Sequence, residues 1–335
     1  MSTPNHPSLT PTGTSCEICG SSRLSELHPM EMMHGRDGPF RYVHCEDCGS
    51  TYQPEKLDDY GKYYPKSYYS FQYKEPENIS ARLRQLKRRL RNEYYYFGTG
   101  VVGRWLARAR PCPVNHLSRH TQLRRDMSIL EIGSGTGELL HELADMGIHK
   151  VVGIDPFVPQ DIAYRNGARV FKASIAELGQ RFAGETFDLI MFNHALEHSP
   201  TPADDLIGAS KFLKPGGEIL VRLPVSGSEI SEQYGKYWWS LDAPRHIYIF
   251  SVKSMKLFAQ KCGLTVRRVH FEGTIDDFLA SEQHKAGIPL LDEKSYVVTH
   301  DLSVFDPVQL KAYEEAIDRQ NKAGTAALAG FILGF

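Results

Sequence analysis

A glycine-rich turn between an apolar segment and a predicted helix is the first place where this sequence could do chemistry. Residues 129–137 read Ile-Leu-Glu-Ile-Gly-Ser-Gly-Thr-Gly, and a helical pattern follows over 138–143. Only glycine lets a backbone turn this tightly and pass close to a ligand. A Walker loop needs a lysine that is missing here, and a dinucleotide loop has its third glycine one residue later. Because Glu131 would repel a pyrophosphate, the turn favours a ligand with an ammonium and a sulfonium group.

A second acid stands at the end of the next predicted strand, over residues 150–155. In a strand–helix–strand unit, an acid in this position can bind both hydroxyls of a ribose, which assigns Asp155 to ligand binding. Further strands are predicted over 168–171 and 187–192. A fifth strand follows the Leu-Lys-Pro-Gly-Gly turn at 213–217. The order of these elements predicts an α/β fold.

With these motifs, residues 126–225 resemble the class I S-adenosylmethionine (AdoMet) methyltransferases, in the branch of ubiquinone-type and sugar-modifying enzymes. The resemblance implies a Rossmann-like, seven-stranded sheet that is mostly parallel, with an antiparallel last strand. It also implies AdoMet as cofactor, and another doubly wound nucleotide-binding fold is the alternative. The cofactor contacts that it implies come from Glu131, Gly133, Gly135, Gly137, Asp155, Ser174, Ile175 and Asn193. Ser174 stands where many members have Asp, at the adenine edge.

Two cysteine pairs near the N-terminus have the spacing of a metal site. Cys16 and Cys19 are separated by two residues, as are Cys45 and Cys48, and each pair precedes a glycine. This spacing lets both thiolates of a pair reach one tetrahedral ion. The four cysteines therefore predict a small structural zinc ribbon over residues 16–56. An iron site of the rubredoxin type and a ribbon without metal are the alternatives.

Three histidines are candidate catalytic residues, because methylation of a hydroxyl requires a proton acceptor and histidine titrates near neutral pH. His194 and His198 follow the fourth predicted strand, where α/β folds bind ligands. His246 lies in a Trp-rich stretch that looks like the insertion lining the acceptor pocket in this family. We expect His198 or His246 to be the base, whereas His194 could instead contact the methionine part of AdoMet. Arg245 is expected either to bind an acceptor phosphate or carboxylate, or to form a salt bridge.

The segment before the core has two distinctive parts. Tyrosines crowd residues 57–73, either to pack the ribbon onto the core or to cover the cofactor as a lid. Over residues 81–97, Leu83, Leu86 and Leu90 recur at helical spacing among arginines and lysines, which predicts a basic amphipathic helix. Such a helix is a solvated connector, or it contacts phosphates or an anionic membrane surface.

Bulk properties exclude some classes of function. The net charge is −1, which does not favour nucleic acid as a partner. No apolar run reaches the roughly 18–20 residues of a membrane helix, and the N-terminus lacks a signal pattern, so we expect a cytoplasmic protein. The expected organisation is a disordered tail (1–15), a zinc ribbon (16–56), a Tyr-rich and basic connector or lid (57–125), a methyltransferase core (126–275) and a C-terminal helical extension (276–335).

These patterns together predict an AdoMet-dependent methyltransferase acting on a small-molecule or carbohydrate acceptor, with nucleotide- and lipid-linked acceptors included. O-methylation of a sugar in polysaccharide or natural-product biosynthesis is preferred. C-methylation is less favoured. Deoxysugar C-methyltransferases also carry two cysteine pairs before the core, but they have a large second α/β domain after it. An RNA-modifying methyltransferase is one alternative, although no Asn/Asp-Pro-Pro-Tyr-like motif follows the fourth strand. A non-catalytic AdoMet-binding scaffold in a polysaccharide assembly complex is another.

Overall fold

The computed structural model describes residues 14–65, 69–73, 75, 78–109 and 116–335. The tail expected over residues 1–15 falls almost entirely outside these ranges, and so does Tyr68 of the tyrosine-rich segment.

The described part of the chain forms two sheets. In chain order, their strands are β1 (Leu24–Leu27), β2 (Tyr42–Cys45), β3 (Thr51–Tyr52), β4 (Ser128–Ile132), β5 (Lys150–Ile154), β6 (Ile162–Ala163), β7 (Arg169–Phe171), β8 (Phe187–Asn193), β9 (Leu213–Pro224), β10 (Tyr248–Ile249), β11 (Thr265–Phe271) and β12 (Leu328–Gly334).

The larger sheet has the spatial order β11-β12-β9-β8-β4-β5-β7-β6. Strands β7, β5, β4, β8 and β9 pair in parallel, whereas β12 is antiparallel to both of its neighbours. The predicted α/β, mostly parallel, Rossmann-like sheet is therefore confirmed. It has eight strands where seven were expected, because the two-residue strand β6 pairs antiparallel with the edge strand β7.

The C-terminal boundary of the core needs correction. The chain after residue 275 was expected to be a helical extension, but its last strand, β12, lies inside the sheet between β9 and β11. Six of its seven residues are buried, since apolar side chains on both faces of a central strand pack against the layers above and below. The core thus extends to the end of the chain, and the helices between β11 and β12 are an insertion.

The helices flank the sheet or form these insertions. In chain order they are α1 (Ile79–Phe97), α2 (Val101–Ala109), α3 (His116–His120), α4 (Glu138–Asp145), α5 (Leu178–Arg181), α6 (Pro202–Ser210), α7 (Glu229–Tyr234), α8 (Val252–Lys261), α9 (Asp276–Lys285), α10 (Tyr296–Thr299) and α11 (Pro307–Ala323). Among the described residues, none of the helices has the length and apolar composition needed to cross a membrane.

Two apolar layers sandwich the parallel strands. On β8, Ile190 and Phe192 belong to one layer with α6 and α8, and Leu189 and Met191 belong to the other with α3 and α4. This alternation follows from the two-residue period of a strand. Because both faces are covered, the places where side chains can meet a ligand lie at the ends of the strands.

The cysteine-rich segment forms the smaller sheet, in the order β1-β2-β3-β10. Strand β10 comes from the insertion after β9, so the segment over 16–56 does not stand alone. The Ser251 hydroxyl also donates to the carbonyl of Cys48, and the Tyr42 hydroxyl donates to that of His246 over 2.8 Å. The sheet therefore fixes the insertion that carries His246.

Helix α1 forms where a basic amphipathic helix was predicted, but it presents a different face to the protein. Leu83 and Leu86 are exposed, whereas Gln85, Arg88 and Asn92 contact helix α4. The ion pair among these contacts joins Arg88 to Glu142 over 2.8 Å. The acidic residues of α4 pair with the polar face of α1, and Leu83 and Leu86 are left exposed.

Candidate active site

The carboxyl ends of β4, β5 and β8 open into a cavity of about 760 Å³. Glu131, Asp155 and Asn193 stand at these three strand ends and line the cavity, together with Gly133. A cavity of this size is typical of a site for a small organic ligand. The position agrees with the general rule that open α/β sheets bind ligands beyond the carboxyl ends of their strands.

The glycine-rich turn wraps the end of β5. The N–H of Gly133 donates to the carbonyl of Ile154 over 2.9 Å, and all three glycines have positive φ. At Gly135, a Cβ atom would lie 2.4 Å from the main-chain oxygen of Ser70. Glycine is required there because the segment 69–73 crosses directly over the turn. Gly135 and Gly137 shape the turn without lining the cavity themselves.

Asp155 is held rigidly for a ligand. Its Oδ2 accepts from the N–H of Gly135 over 2.9 Å, and its Oδ1 accepts from the N–H of Phe157 over 2.8 Å. Burial raises the pKa of this carboxyl, and the two N–H donors act against that rise. Each oxygen keeps a further lone pair for a ligand hydroxyl. This arrangement suits the ribose-binding role that the sequence predicted.

Glu131 is the more strongly perturbed acid. Burial raises its pKa to about 8, and the nearby Asp155 contributes to the rise. Its side chain is 3% exposed, and no hydrogen bond reaches it from the described part of the chain. A buried carboxyl without a partner is costly when it is charged. A cationic group bound in the cavity would remove that cost, in agreement with the ammonium-bearing ligand inferred from the sequence.

The remaining predicted cofactor residues also line the cavity. Ser174 and Ile175 lie at the end of β7, opposite Asn193. The Ser174 hydroxyl donates to Glu177 over 2.8 Å and caps a single helical turn. Asn193 Oδ1 accepts from Arg222 over 3.1 Å. Both side chains are thus already oriented by bonds within the protein.

The tyrosine-rich segment divides between the two roles expected for it. Tyr63 is buried, and its hydroxyl contacts Asp37 of the cysteine-rich segment over 3.1 Å. Tyr64 lines the cavity and stacks on Phe157 at 5.6 Å between ring centroids. Ser70, Phe71 and Tyr73 line it as well. The sequence analysis missed Phe157 as a site residue, although its place two residues after Asp155 is a usable signal.

Both ring nitrogens of His194 contact other side chains of the protein. Its Nε2 lies 2.6 Å from Arg222 Nη1, and its Nδ1 lies 3.3 Å from Glu197 Oε1. Since arginine can only donate, Nε2 accepts and the proton of the neutral ring sits on Nδ1, facing Glu197. Both nitrogens are in use, so we assign His194 to positioning Glu197 and withdraw it as a candidate base.

Glu197, His198 and His246 form a cluster beside the cavity, here named the Glu–His–His cluster. One potential ligand atom from each lies within 4.8 Å of the other two. Burial and the neighbouring His246 lower the pKa of His198 to about 4, which keeps its ring neutral. Burial alone would raise the pKa of Glu197. The hydrogen bond from His194 and the nearby imidazoles outweigh that effect and lower this pKa to about 2.

The ring orientations within this cluster are set by main-chain carbonyls. His198 Nδ1 lies 2.9 Å from the carbonyl oxygen of Arg245, and the Tyr64 hydroxyl lies 2.9 Å from the same nitrogen. His246 Nδ1 lies 2.7 Å from the carbonyl oxygen of Ser240. Carbonyl oxygens only accept, so each Nδ1 carries a proton and each Nε2 of the neutral ring holds a lone pair.

Arg245 and the tryptophans take structural roles. Of the two expectations for Arg245, the salt bridge is the one observed: its fully buried guanidinium contacts Glu31 over 2.9 Å and Asp242 over 2.6 Å. Trp238 and Trp239 were expected to line an acceptor pocket, but they pack against helices α9 and α11 and do not line the cavity. The insertion after β11 supplies the apolar partners that these rings need.

The four cysteines of the N-terminal segment converge on one point. Cys16 Sγ lies 3.6 Å from Cys48 Sγ, and Cys19 Sγ lies 3.5 Å from Cys45 Sγ. All four sulfurs lie within 4.8 Å of one another. Thiolates about 2.3 Å from one tetrahedral ion stand about 3.8 Å apart, so the arrangement fits the predicted structural zinc site.

Comparisons with known proteins show similarity to methyltransferases. A family model described as a methyltransferase domain matches residues 104–269. A tRNA U34 carboxymethyltransferase of Hydrogenovibrio crunogenus is 26% identical over 48% of this chain and 51% of its own length. A ubiquinone biosynthesis O-methyltransferase of Erwinia tasmaniensis is 28% identical over 36% of this chain and 55% of its own. The chain thus spans about half the length of these curated relatives.

Among solved structures, the chain is similar to a SAM-dependent methyltransferase from Geobacter sulfurreducens in complex with S-adenosyl-L-homocysteine. That protein is 15% identical, with a TM-score of 0.38, and the match covers 67% of this chain and 91% of the other.

Proposed function

We propose that this chain, whose residues 104–269 form an AdoMet-dependent methyltransferase domain, methylates a hydroxyl group of a small acceptor, with a sugar hydroxyl as the first candidate. The observation that carries the proposal is the position of His198. Its side chain lines the same cavity as Glu131 and Asp155. A cofactor held by the two acids would therefore share one enclosed space with a polar group able to engage an acceptor hydroxyl.

Different residues around the cavity would contact the cofactor and the acceptor. When bound, AdoMet supplies an activated methyl group on its sulfonium. Asp155 would bind the ribose hydroxyls, and Glu131 would offer its carboxylate to the cationic part of the ligand. Tyr64 and Phe157 line the cavity as a stacked pair of rings. The Glu–His–His cluster would receive the acceptor hydroxyl, because Nε2 of an imidazole whose Nδ1 carries the proton can accept a hydrogen bond or bind a cation.

Alignment of the reacting atoms is the main contribution that a methyltransferase makes, since the donor is already activated. Tyr64 links the two halves of the site. Its ring stacks on Phe157 beside Asp155, and its hydroxyl lies 2.9 Å from His198 Nδ1. The lid segment therefore contacts both the cofactor side and the acceptor side of the cavity.

The test separates cofactor binding from transfer. His198→Ala and His246→Ala should bind AdoMet as the unmodified protein does, while turnover on a sugar or phenolic acceptor falls at least tenfold. His149→Ala, which removes an exposed imidazole, is the matched control and should keep full turnover. AdoMet binding is followed by calorimetry and turnover by mass spectrometry of the product. Full turnover in both cluster variants would remove the cluster from the mechanism.

The acceptor can be sought at a lipid surface. Ile79, Leu83 and Leu86 of α1 and Val101, Val102 and Trp105 of α2 are exposed. Arginines and lysines surround these residues in the sequence. An apolar face with basic neighbours fits an anionic membrane surface. This favours a lipid-linked sugar, as in polysaccharide biosynthesis. Trp105→Ala combined with Leu86→Ala should weaken co-sedimentation with anionic vesicles and leave AdoMet binding unchanged.

RNA is the second candidate acceptor. Two observations favour it: the basic helix α1 and the similarity to a protein named tRNA U34 carboxymethyltransferase. If RNA is the substrate, binding of bulk tRNA should weaken steeply with salt. Binding to vesicles but not to tRNA, with methyl transfer to sugars only, would reject this candidate.

A further inference from the structure

The buried carboxylate of Glu197 is incompletely satisfied. Its side chain is fully buried, and Oε1 takes the hydrogen bond from His194. Among the described residues, Oε2 has no hydrogen-bond partner. A buried carboxylate oxygen without a partner costs several kcal/mol unless a cation or a donor lies next to it. The position therefore calls for a further group beside Oε2.

The groups that face the same point are two imidazoles, and each is oriented as a metal ligand would be. A histidine that binds a metal almost always donates its other ring N–H to a carbonyl or a carboxylate. His198 does so to the Arg245 carbonyl and His246 does so to the Ser240 carbonyl, both through Nδ1. Nε2 of each ring remains for an ion.

We propose that Glu197, His198 and His246 bind a divalent first-row transition-metal ion, which holds and activates the acceptor hydroxyl. One carboxylate and two imidazoles suit zinc, iron or cobalt better than magnesium, which prefers oxygen ligands. Ligands about 2.0–2.2 Å from one ion lie about 3–4 Å apart, and one potential ligand atom from each of the three side chains already lies within 4.8 Å of the other two.

The surrounding charges support an ion at this position. His194 is held between Arg222 and Glu197, and so it fixes the carboxylate that would bind the ion. Asp242 lies 3.9 Å from His246 Nε2 but is already paired with Arg245. The cluster is thus anchored on one side by the Arg222–His194–Glu197 chain and on the other by the insertion fixed to the cysteine-rich sheet.

Three protein ligands leave coordination positions free for an acceptor, and His198 connects the cluster with the cavity. An oxygen bound to a divalent ion loses its proton more readily, because the ion stabilises the negative charge. The proton leaves to water. An electron pair of the oxygen forms the new carbon–oxygen bond, and the carbon–sulfur bond breaks with its pair remaining on sulfur. In this proposal the two histidines are ligands and do not take up the proton.

The experiment counts metal ions in the full chain. After reconstitution with Co(II), the protein should hold two ions, and only the site with four cysteines produces strong sulfur-to-cobalt charge-transfer absorption. His246→Gln and Glu197→Gln should each hold one ion with that absorption unchanged. His149→Ala should still hold two. Cys16→Ser should lose the charge-transfer absorption while weak visible bands of a nitrogen- and oxygen-ligated ion remain.

The metal count tests the site separately from the proposed function, and the role of the ion rests on that function. One ion per chain in the unmodified protein, retained by His246→Gln, would overturn the metal site even if methyl transfer is observed. Two ions together with AdoMet binding but no methylation of any hydroxyl would leave the site standing and remove the function. As a second measurement, His246→Gln should show the same thermal unfolding midpoint with and without added Co(II), once the cysteine site is filled.

Discussion

The main-chain N–H of Gly135 donates to the carboxylate of Asp155 over 2.9 Å, so that the glycine-rich turn after β4 and the acid after β5 form one unit. The same turn is covered by Ser70, whose carbonyl accepts from the N–H of Thr136 over 2.9 Å. A ligand bound at Asp155 is therefore in contact with the turn and lies near the segment that closes over it.

Loss of the Asp155 carboxylate should weaken AdoMet binding. We expect Asp155→Ala to raise the Kd at least tenfold, about 1.4 kcal/mol, because two hydrogen bonds from ribose to a charged acceptor are lost. Calorimetric titration measures the effect. Asp161→Ala is the matched control, since this half-exposed acid pairs with Arg181 outside the cavity. Equal affinity in Asp155→Ala and the unmodified chain would show that the ribose is bound elsewhere.

The affinity for AdoMet should depend on pH through Glu131. Its pKa is raised to about 8, so the free protein holds a proton there at pH 7, and a cationic ligand expels that proton. The affinity should therefore rise as the pH increases towards about 8, by at most about tenfold per pH unit, and level off above.

The control for this pH effect is the isosteric variant Glu131→Gln, which cannot release a proton. Calorimetry in two buffers of different ionisation enthalpy gives the number of protons released per AdoMet bound. Identical proton release from Glu131→Gln would assign the effect to the ligand or to another group. The raised pKa of Glu131 also affects stability. The folded state binds a proton that the unfolded chain, in which this pKa is 4.5, has lost. The stabilisation that this bound proton provides therefore declines as pH rises from about 4.5 to about 8.

Removal of one cysteine from the four-thiol site should abolish its zinc. Cys16→Ser leaves three thiolates, and because the site joins β10 and the His246 insertion to the core, we expect a lower unfolding temperature as well as metal loss. Elemental analysis and thermal denaturation check both effects. Cys262→Ser alters a buried cysteine away from this site and should keep the zinc. A full zinc complement in Cys16→Ser would contradict the four-thiolate assignment.

The buried ion pairs of Arg245 should matter far more than those on the surface. Arg245→Leu leaves the buried Glu31 and Asp242 carboxylates without their partner, and we expect a loss of about 3–5 kcal/mol in the free energy of unfolding. Arg23→Ala removes two exposed ion pairs and should cost less than about 1 kcal/mol. Chemical denaturation measures the free energy of unfolding of both variants. Similar losses in Arg245→Leu and Arg23→Ala would show that the buried contacts do not join the cysteine-rich sheet to the insertion.

Local motifs were enough to predict several of the residues that line the cavity at the strand ends, Glu131, Asp155 and Ser174 among them. The glycine turn, Asp155 and Ser174 all follow predicted strands, and parallel strands in one sheet bring their carboxyl ends to a common edge. The caps of α8 and α11 were equally local, because Ser251 and Asp306 bond to N–H groups within three residues of themselves. Such features depend on near neighbours in the chain, and the sequence displays those directly.

The acceptor side depends on contacts between distant residues. The sequence by itself determined the α/β class, the five core strands β4, β5, β7, β8 and β9, the positions of the two acids and the pairing pattern of four cysteines, since each follows from short spacing and hydrophobic period. Only the tertiary structure decided that β12 completes the sheet, that Leu83 and Leu86 of α1 are exposed, and that His246 lies beside Glu197 and His198. Those outcomes depend on which of several apolar or polar faces finds the better partner far along the chain, and no local spacing encodes that choice.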